Sequence, residues 1–312
     1  MLAGEMRAVA RGISLVEARA QEREHFLREL HGQRGDAVPP ALVIGITGPP
    51  GAGKSTLISQ LIMSVRHTGA PVAVLAVDPS SPFTGGALLG DRIRMDQHGV
   101  DPGVFIRSMA SRGGSGGLCA AAVETVQVLE SAGYGTILVE SVGVGQSEIG
   151  ILTVADIVVV ALTPGSGDEI QALKAGVMEI GDVYVVNKAD HPQAEGMVAA
   201  LRSALMDTER GGSAPAIVKT IATEGTGVAE LYSTILSRKE QYHASQELDR
   251  RRRERVVAAL RETTTELVQQ RLQDATAAWG ALPPEFSLPT FQRELDEFLT
   301  TYLGRLQDDS RN

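Results

Sequence analysis

Cysteine is nearly absent. Cys119 is the only one in 312 residues, which excludes an intrachain disulfide and any cysteine-built structural metal site. Aromatic residues are scarce, at 4%, so the core must be mostly aliphatic. No uncharged apolar run approaches the ~20 residues that span a bilayer. The first residues are charged and lack an apolar h-region, so they do not read as a signal peptide. Positive charge is in deficit: 29 Lys and Arg against 38 Asp and Glu give a net charge of −9. That balance argues against general nucleic-acid binding, which needs a basic face. These absences together predict a cytoplasmic protein that engages neither membrane nor nucleic acid.

What is present is an aliphatic core and one loud motif. Hydrophobic residues make up 43% of the chain, enough for one large α/β domain with extensions. The apolar run Leu42–Thr47 leads into Gly48-Pro49-Pro50-Gly51-Ala52-Gly53-Lys54-Ser55-Thr56. This is Gly-x4-Gly-Lys-Ser, the phosphate-binding P-loop. Backbone N–H groups of such a turn, with a helix N-terminus behind them, form an anion site. Lys54 is placed to reach the β- and γ-phosphates and Ser55 to offer its hydroxyl to Mg²⁺.

From Ala41 onward apolar strands alternate with helical patterns. Strands are expected at Leu42–Thr47, Val72–Val77, Val104–Arg107, Thr136–Glu140, Ile157–Leu162, Val183–Asn187 and Ala216–Thr220. Helices are expected at Ser55–Arg66, Leu118–Ala132, Asp168–Ile180, Ala194–Met206 and Val228–Leu236. Continuous apolar strands between helices imply a mainly parallel sheet covered on both faces. The fold class is α/β, a P-loop NTPase with helical extensions at both ends. The expected division is a helical extension over residues 1–40, the nucleotide-binding domain over 41–237 and a helical arm over 238–312. Ser14 and Glu17 fit a capping box near the start. Arg250 to Arg255 open a long helix, read as a solvated face or, less favoured, as a site for nucleic acid or an acidic partner. Val256, Val257, Leu260, Leu267 and Val268 form an apolar stripe along it, and a further helical segment, Phe291–Leu306, follows Pro283, Pro284 and Pro289.

Asn187-Lys188-Ala189-Asp190 ends a strand and matches Asn-Lys-x-Asp. A carboxylate at Asp190 can accept from guanine's ring N–H and exocyclic amine together. Adenine has no such donor pair, so it would strand that charge. Asn187 is expected to tie this loop to the P-loop, and the Lys188 stem to cover the base. Ile221-Ala222-Thr223 occupies the place of a Ser-Ala-x loop, where a backbone N–H would meet the guanine O6. Ile221 departs from the usual Ser.

Carboxylates for Mg²⁺ are sought at strand ends beside the P-loop strand. Asp78 and Glu140 lie there, and Asp91 falls in the loop between them. Two glycine-rich loops, Pro79–Met95 and Ser141–Ser147, have the character of segments ordered by a γ-phosphate and released on hydrolysis. Gln146 could orient a water or equally contact a partner. No arginine finger stands out, although Arg92, Arg94 and Arg107 are candidates.

The longer stretches carry a specific likeness. Val77-Asp78-Pro79-Ser80-Ser81-Pro82 with Gly85-Gly86 and Leu89-Gly90-Asp91-Arg92 resembles the first switch of one family. Val139 to Glu148 resembles its second. Thr163 to Glu169 with Lys174 resembles its third mobile loop. The chain is similar to the MeaB/ArgK-type GTPases, chaperones of adenosylcobalamin-dependent methylmalonyl-CoA mutase, from about Ala8 to Leu231. The resemblance implies a homodimer joined through a C-terminal arm, GTP·Mg²⁺ as ligand, slow hydrolysis, and gating of cofactor loading and protection in that mutase or a related acyl-CoA mutase. It implies Lys54, Ser55, Thr56, Asp78, Asp91 and Glu140 at the phosphates and Mg²⁺, and Asn187 and Asp190 at the base. Lys174 would belong to the loop coupling nucleotide to mutase. The alternative is a metallochaperone GTPase for nickel-enzyme maturation. Such proteins rely on Cys and His clusters, whereas Cys119 is alone and His67, His98, His191 and His243 are scattered. The older transport-kinase label of the family finds no matching docking or phosphorylation motif.

Overall fold

A computed structural model of the chain describes residues 5–18, 22–34, 39–79, 98–111, 120–141, 153–165, 179–206 and 214–279. Two helices lead, α1 (Met6–Ala18) and α2 (Arg23–Arg34). Then come β1 (Leu42–Thr47), α3 (Lys54–Arg66), β2 (Val72–Pro79), β3 (Val104–Ser111), α4 (Ala120–Ser131) and β4 (Thr136–Glu140). After these follow β5 (Ile157–Leu162), β6 (Val183–Val186), α5 (Ala194–Ala204), β7 (Ala216–Lys219), α6 (Val228–Ala244) and α7 (Glu247–Trp279). Packing groups Met1–Glu262 into one compact unit and Thr263–Asn312 into a second, whose described part is the C-terminal portion of α7. Among the described residues no helix is long and apolar enough to cross a membrane.

The strands form one parallel sheet in the order β3-β2-β4-β1-β5-β6-β7. Every residue of β1, β4, β5 and β6 is buried, which is why these strands read as unbroken apolar runs rather than alternating ones. Alternation survives as a choice of face. Leu42, Ile44 and Ile46 pack with Leu57, Leu61 and Val65 of α3 and Leu231 and Ile235 of α6. Val43, Val158 and Val160 pack in the cluster that includes Val9 and Ile13 of α1, Val126 and Leu129 of α4 and Leu201 of α5. The β-branched strands and the helical stripes thus meet in two separate apolar layers, one on each side of the sheet.

Several expectations change in detail. The capping box is not formed: Ser14 sits inside α1 and its hydroxyl donates to the Ala10 carbonyl at 3.0 Å. Ser within a helix bonds back in this way when no helix start is near. β2 and β3 run on together to Pro79 and Ser111, because the paired register continues past Val77 and Arg107. α6 passes through Ser237 without interruption and ends at Ala244. The helix expected over 168–180 lies almost wholly outside the described residues, and Phe291–Leu306 wholly so.

The basic run on α7 is the largest correction. Arg251, Arg252 and Arg255 do not form a solvated face. Arg251 grips Asp182 with both ends of its guanidinium, at 2.7 and 2.8 Å. Arg252 and Arg255 meet the two oxygens of Asp156, Arg255 at 2.6 Å. Both carboxylates are fully buried. Each precedes a strand and also caps the neighbouring one: Asp156 accepts from the Val43 N–H of β1 at 3.0 Å, and Asp182 from the Val158 N–H of β5 at 2.7 Å. Tyr242 completes the cluster, donating to Asp182 at 2.7 Å beneath the Arg251 guanidinium. Burial and the Asp182 charge push its phenol well above the usual range. At the helix start Arg250 and Arg251 hold the Glu247 carboxyl down to about 2. A charge this deep is tolerated only when paired and fully hydrogen-bonded.

Replacing one partner leaves the other stranded. Asp182→Ala is expected to lower the unfolding free energy by about 3 to 5 kcal/mol, read from urea unfolding. An unchanged midpoint would show that the cluster does not hold this end of the sheet.

Candidate functional site

The P-loop joins β1 to α3 at the middle of the sheet. β1 is flanked by β4 on one side and β5 on the other, and successive connections leave it in opposite directions, the place where parallel α/β sheets open a ligand crevice. Two glycines shape the loop for a physical reason. A side chain at Gly48 (φ 134°) would put a Cβ 2.0 Å from the Ala161 carbonyl oxygen of β5. At Gly53 (φ 85°) it would lie 2.4 Å from the Asn187 amide nitrogen. The loop is therefore pressed against the sheet and ends in a left-handed residue, from which α3 starts with no side-chain cap. The N–H groups of that first turn and the positive end of the helix point toward the loop.

Lys54 is the first helical residue and is buried, its ammonium donating to the carbonyls of Gly48 at 2.8 Å and Pro49 at 3.2 Å. It thus arches back across the loop that it would serve. Ser55 follows, also buried, and its hydroxyl donates to Glu140 Oε1 at 2.9 Å. Glu140 ends β4 opposite Ile46 in the register, which brings this carboxylate to the phosphate end of β1. Behind it, the Ser141 hydroxyl donates to that of Thr47 at 2.8 Å. A hydroxyl and a buried carboxylate side by side are hard oxygen ligands, the donor set that suits Mg²⁺ rather than a soft metal.

Asn187 connects three loops. Its Nδ2 donates to the Ala52 carbonyl of the P-loop at 2.9 Å. Its Oδ1 accepts from the Thr220 hydroxyl and from the Ala222 N–H, each at 3.1 Å. Lys188, held at φ 53°, reaches the Gly51 carbonyl with its ammonium at 3.1 Å. The Ala189 N–H donates to the Thr220 carbonyl at 3.0 Å. Asp190 follows on this braced turn, with its side chain exposed.

The loop over 221–223 is used differently from expectation. The Ile221 N–H donates to Thr226 and the Ala222 N–H to Asn187, so neither points at a base. Only the Thr223 N–H of that trio is outside these bonds. Thr220 and Ala222 support Asn187, and of the two sequence reading misses Thr220. In the sequence Thr220 is only the end of a strand. Arg107 is also reassigned: it lies within β3 and pairs with Glu17 of α1, so it braces the fold and is not an arginine finger. Asp78 is the penultimate residue of β2, opposite Ala110 of β3, and only its backbone position is described. Asp91, Gln146, Lys174, Arg92 and Arg94 lie outside the described residues, as does most of each of the three switch-like segments.

Comparison with known proteins gives one consistent result. The family model described as methylmalonyl-CoA mutase-associated GTPase MeaB matches residues 9–277. A Pyrococcus abyssi protein named as a GTPase is 46% identical over 260 residues, 82% of this chain and 79% of that protein. A Mus musculus protein named as the mitochondrial methylmalonic aciduria type A homologue is 34% identical over 267 residues, 81% of this chain and 64% of that one. A solved structure described as an LAO/AO transport system kinase superposes with a TM-score of 0.66 at 29% identity, covering 96% of this chain and 95% of that one.

The geometry makes Asn187 a structural hub as well as a site residue. Asn187→Ala would leave the Ala52 carbonyl, the Thr220 hydroxyl and the Ala222 N–H without this partner. The expected loss is about 2 to 4 kcal/mol, measured by urea unfolding, with faster amide exchange at Ala222. Wild-type exchange at that amide would refute the bracing role.

Proposed function

The chain belongs to the MeaB family of methylmalonyl-CoA mutase-associated GTPases, and from that premise we propose that it uses bound GTP to gate adenosylcobalamin loading into, and protection of, methylmalonyl-CoA mutase or a related acyl-CoA mutase. The P-loop fold and the relatives named as GTPases support the GTPase part of this reading. The observation that carries the site reading is the Asn187 bridge. It ties the phosphate loop to the turn that bears Asp190, so phosphate and base would be read by one braced unit.

In this reading the N–H groups of 48–56 hold the phosphates. Lys54 turns from its own loop carbonyls to the β- and γ-phosphates, as a positioned point charge. Ser55 and Glu140 would hold Mg²⁺ directly or through water, with Asp78 and Asp91 as further candidate ligands, and Thr56 would serve the phosphates. When bound, the ion neutralises charge on the β- and γ-oxygens. Asp190 accepts the guanine N–H pair, the Lys188 stem lies along the base, and Thr223 supplies the N–H for the guanine O6. Gln146 orients the attacking water. Slow hydrolysis without a partner belongs to the same reading through the family resemblance, and Arg107, paired with Glu17, is given no part in it.

Dimerisation through the C-terminal part of the chain belongs to the same proposal. It is supported by Val256, Val257 and Leu260, large apolar side chains that α7 leaves exposed. Because Arg251, Arg252 and Arg255 are bound into the nucleotide-binding unit, the dimerising portion is taken to begin at Val256 rather than at residue 238. A cytoplasmic address fits the single cysteine. The transport-kinase name of the solved structure is not carried over, because a guanine-reading turn and mutase-associated relatives support the chaperone reading instead.

Two outcomes test this. GTP should bind roughly 10⁴-fold more tightly than ATP, and Asp190→Ala should erase most of that preference; equal affinities in calorimetric titration refute the base assignment. Cofactor-stripped methylmalonyl-CoA mutase, given adenosylcobalamin and this protein with GTP, GDP or a non-hydrolysable GTP analogue, should take up cofactor at nucleotide-dependent rates. Identical rates in all three would sink the gating.

A further inference from the structure

On the α4 side of the sheet, β1 and β4 present apolar side chains, Val43, Ile137 and Val139. Both rows end in a hydroxyl. Thr47 and Ser141 are buried, 0% and 2% exposed, and Ser141 Oγ donates to Thr47 Oγ1 at 2.8 Å. That is an ordinary length for an O–H···O bond.

Successive side chains of a strand point to opposite faces. Leu138 packs in the layer with α3, and Val139 in the layer with α4. Glu140 therefore falls on the α3 side, where Ser55 donates to it, and Ser141 falls on the α4 side. The Ser141 N–H also donates to the Ile46 carbonyl at 3.1 Å, so the bonding between β1 and β4 runs one residue past Glu140. Glu140 thus lies between its own strand and a residue held through both its backbone and its hydroxyl. The glycine-rich loop expected over Ser141–Ser147 has a fixed first residue.

Stability alone does not call for such a pair. Two buried hydroxyls exchanged for apolar groups of the same shape cost little, whereas removing one strands the other. The metal is more exacting. Mg²⁺ requires near-ideal octahedral oxygens at about 2.1 Å, and the partners behind a metal ligand typically account for about 10- to 100-fold in affinity. We propose that Thr47 and Ser141 are a positioning pair, holding the end of β4 from the α4 side so that Glu140 stays beside Ser55 for Mg²⁺. This role rests on the reading of Ser55 and Glu140 as the Mg²⁺ side of the site.

The test loads the full chain with GDP free of Mg²⁺ and titrates Mg²⁺ into the complex by calorimetry. Thr47→Val, Ser141→Ala and the double variant should each bind Mg²⁺ about tenfold or more weakly. Ser141→Thr keeps the hydroxyl and should stay near wild type. GDP affinity in EDTA reads the P-loop without the ion and should hold throughout. Urea unfolding separates positioning from a merely structural role: the double variant should recover most of the midpoint that the single variants lose, yet keep the Mg²⁺ defect. In a Glu140→Gln background, Thr47→Val should add nothing to the Mg²⁺ loss. If a single variant fails to fold, the double variant and Ser141→Thr decide. Wild-type Mg²⁺ affinity in the folded double variant, or GDP affinity in EDTA falling as far as Mg²⁺ affinity, overturns the positioning role and leaves the metal assignment standing. Wild-type Mg²⁺ affinity in Glu140→Gln refutes the metal assignment, and the positioning role with it.

Discussion

The amide of Asn187 ties together the loops from which the candidate site is built. One planar side chain, 3% exposed, spends its nitrogen on the P-loop and its oxygen on the loop after β7. Backbone bonds align the loops after β6 and β7, through Thr220 N–H to Val186 and Ala189 N–H to Thr220, and the Asn187 side chain adds the P-loop to them. Side-chain amides suit such a junction, since they carry donor and acceptor on a rigid plane without a charge to desolvate. The same geometry fixes Gly53, whose missing Cβ is the space the Asn187 nitrogen occupies. The P-loop and the turn that bears Asp190 are therefore braced against each other.

The sheet holds this assembly from the opposite end. The P-loop and the Asn187 turn leave the C-terminal ends of β1 and β6, and Glu140 closes β4 beside Ser55, while Asp156 and Asp182 stand at the N-terminal ends of β5 and β6. Each aspartate bonds the backbone of the preceding strand in the sheet and an arginine of α7. The strands between are largely apolar. Polar specification is thus concentrated at the two ends of the strands, and the interior supplies aliphatic packing.

Much of this was legible in the chain before any coordinates. Every strand was located, and only β2 and β3 run well past their expected ends, because β-branched runs buried on both faces leave a strong local signal. The P-loop and Asn-Lys-x-Asp were legible for a different reason: the chemistry demands residue types at fixed spacing. What could not be read were partners distant in sequence. Arg252 meets Asp156 across 96 positions, and nothing in Arg-Arg-Arg-Arg distinguishes a buried fork from a solvated one. Arg107 likewise resembles a spare catalytic arginine until Glu17 is found beside it. In Ile221-Ala222-Thr223 the sequence does not tell which N–H is left for a base, since those of Ile221 and Ala222 are taken by Thr226 and Asn187.

Gly48 and Gly53 are both intolerant of a side chain, yet they should behave oppositely in a genetic search for second-site revertants. At Gly48 the obstacle is the backbone carbonyl of Ala161, which every amino acid shares, so no substitution at 161 makes room. At Gly53 the obstacle is the tip of a side chain. A shorter residue at 187 would relieve the crowding, but at the expense of the bridge between loops and without relieving the left-handed backbone of Gly53. The first position is closed by backbone geometry alone, whereas the second is closed both by its φ and by the work its neighbour performs.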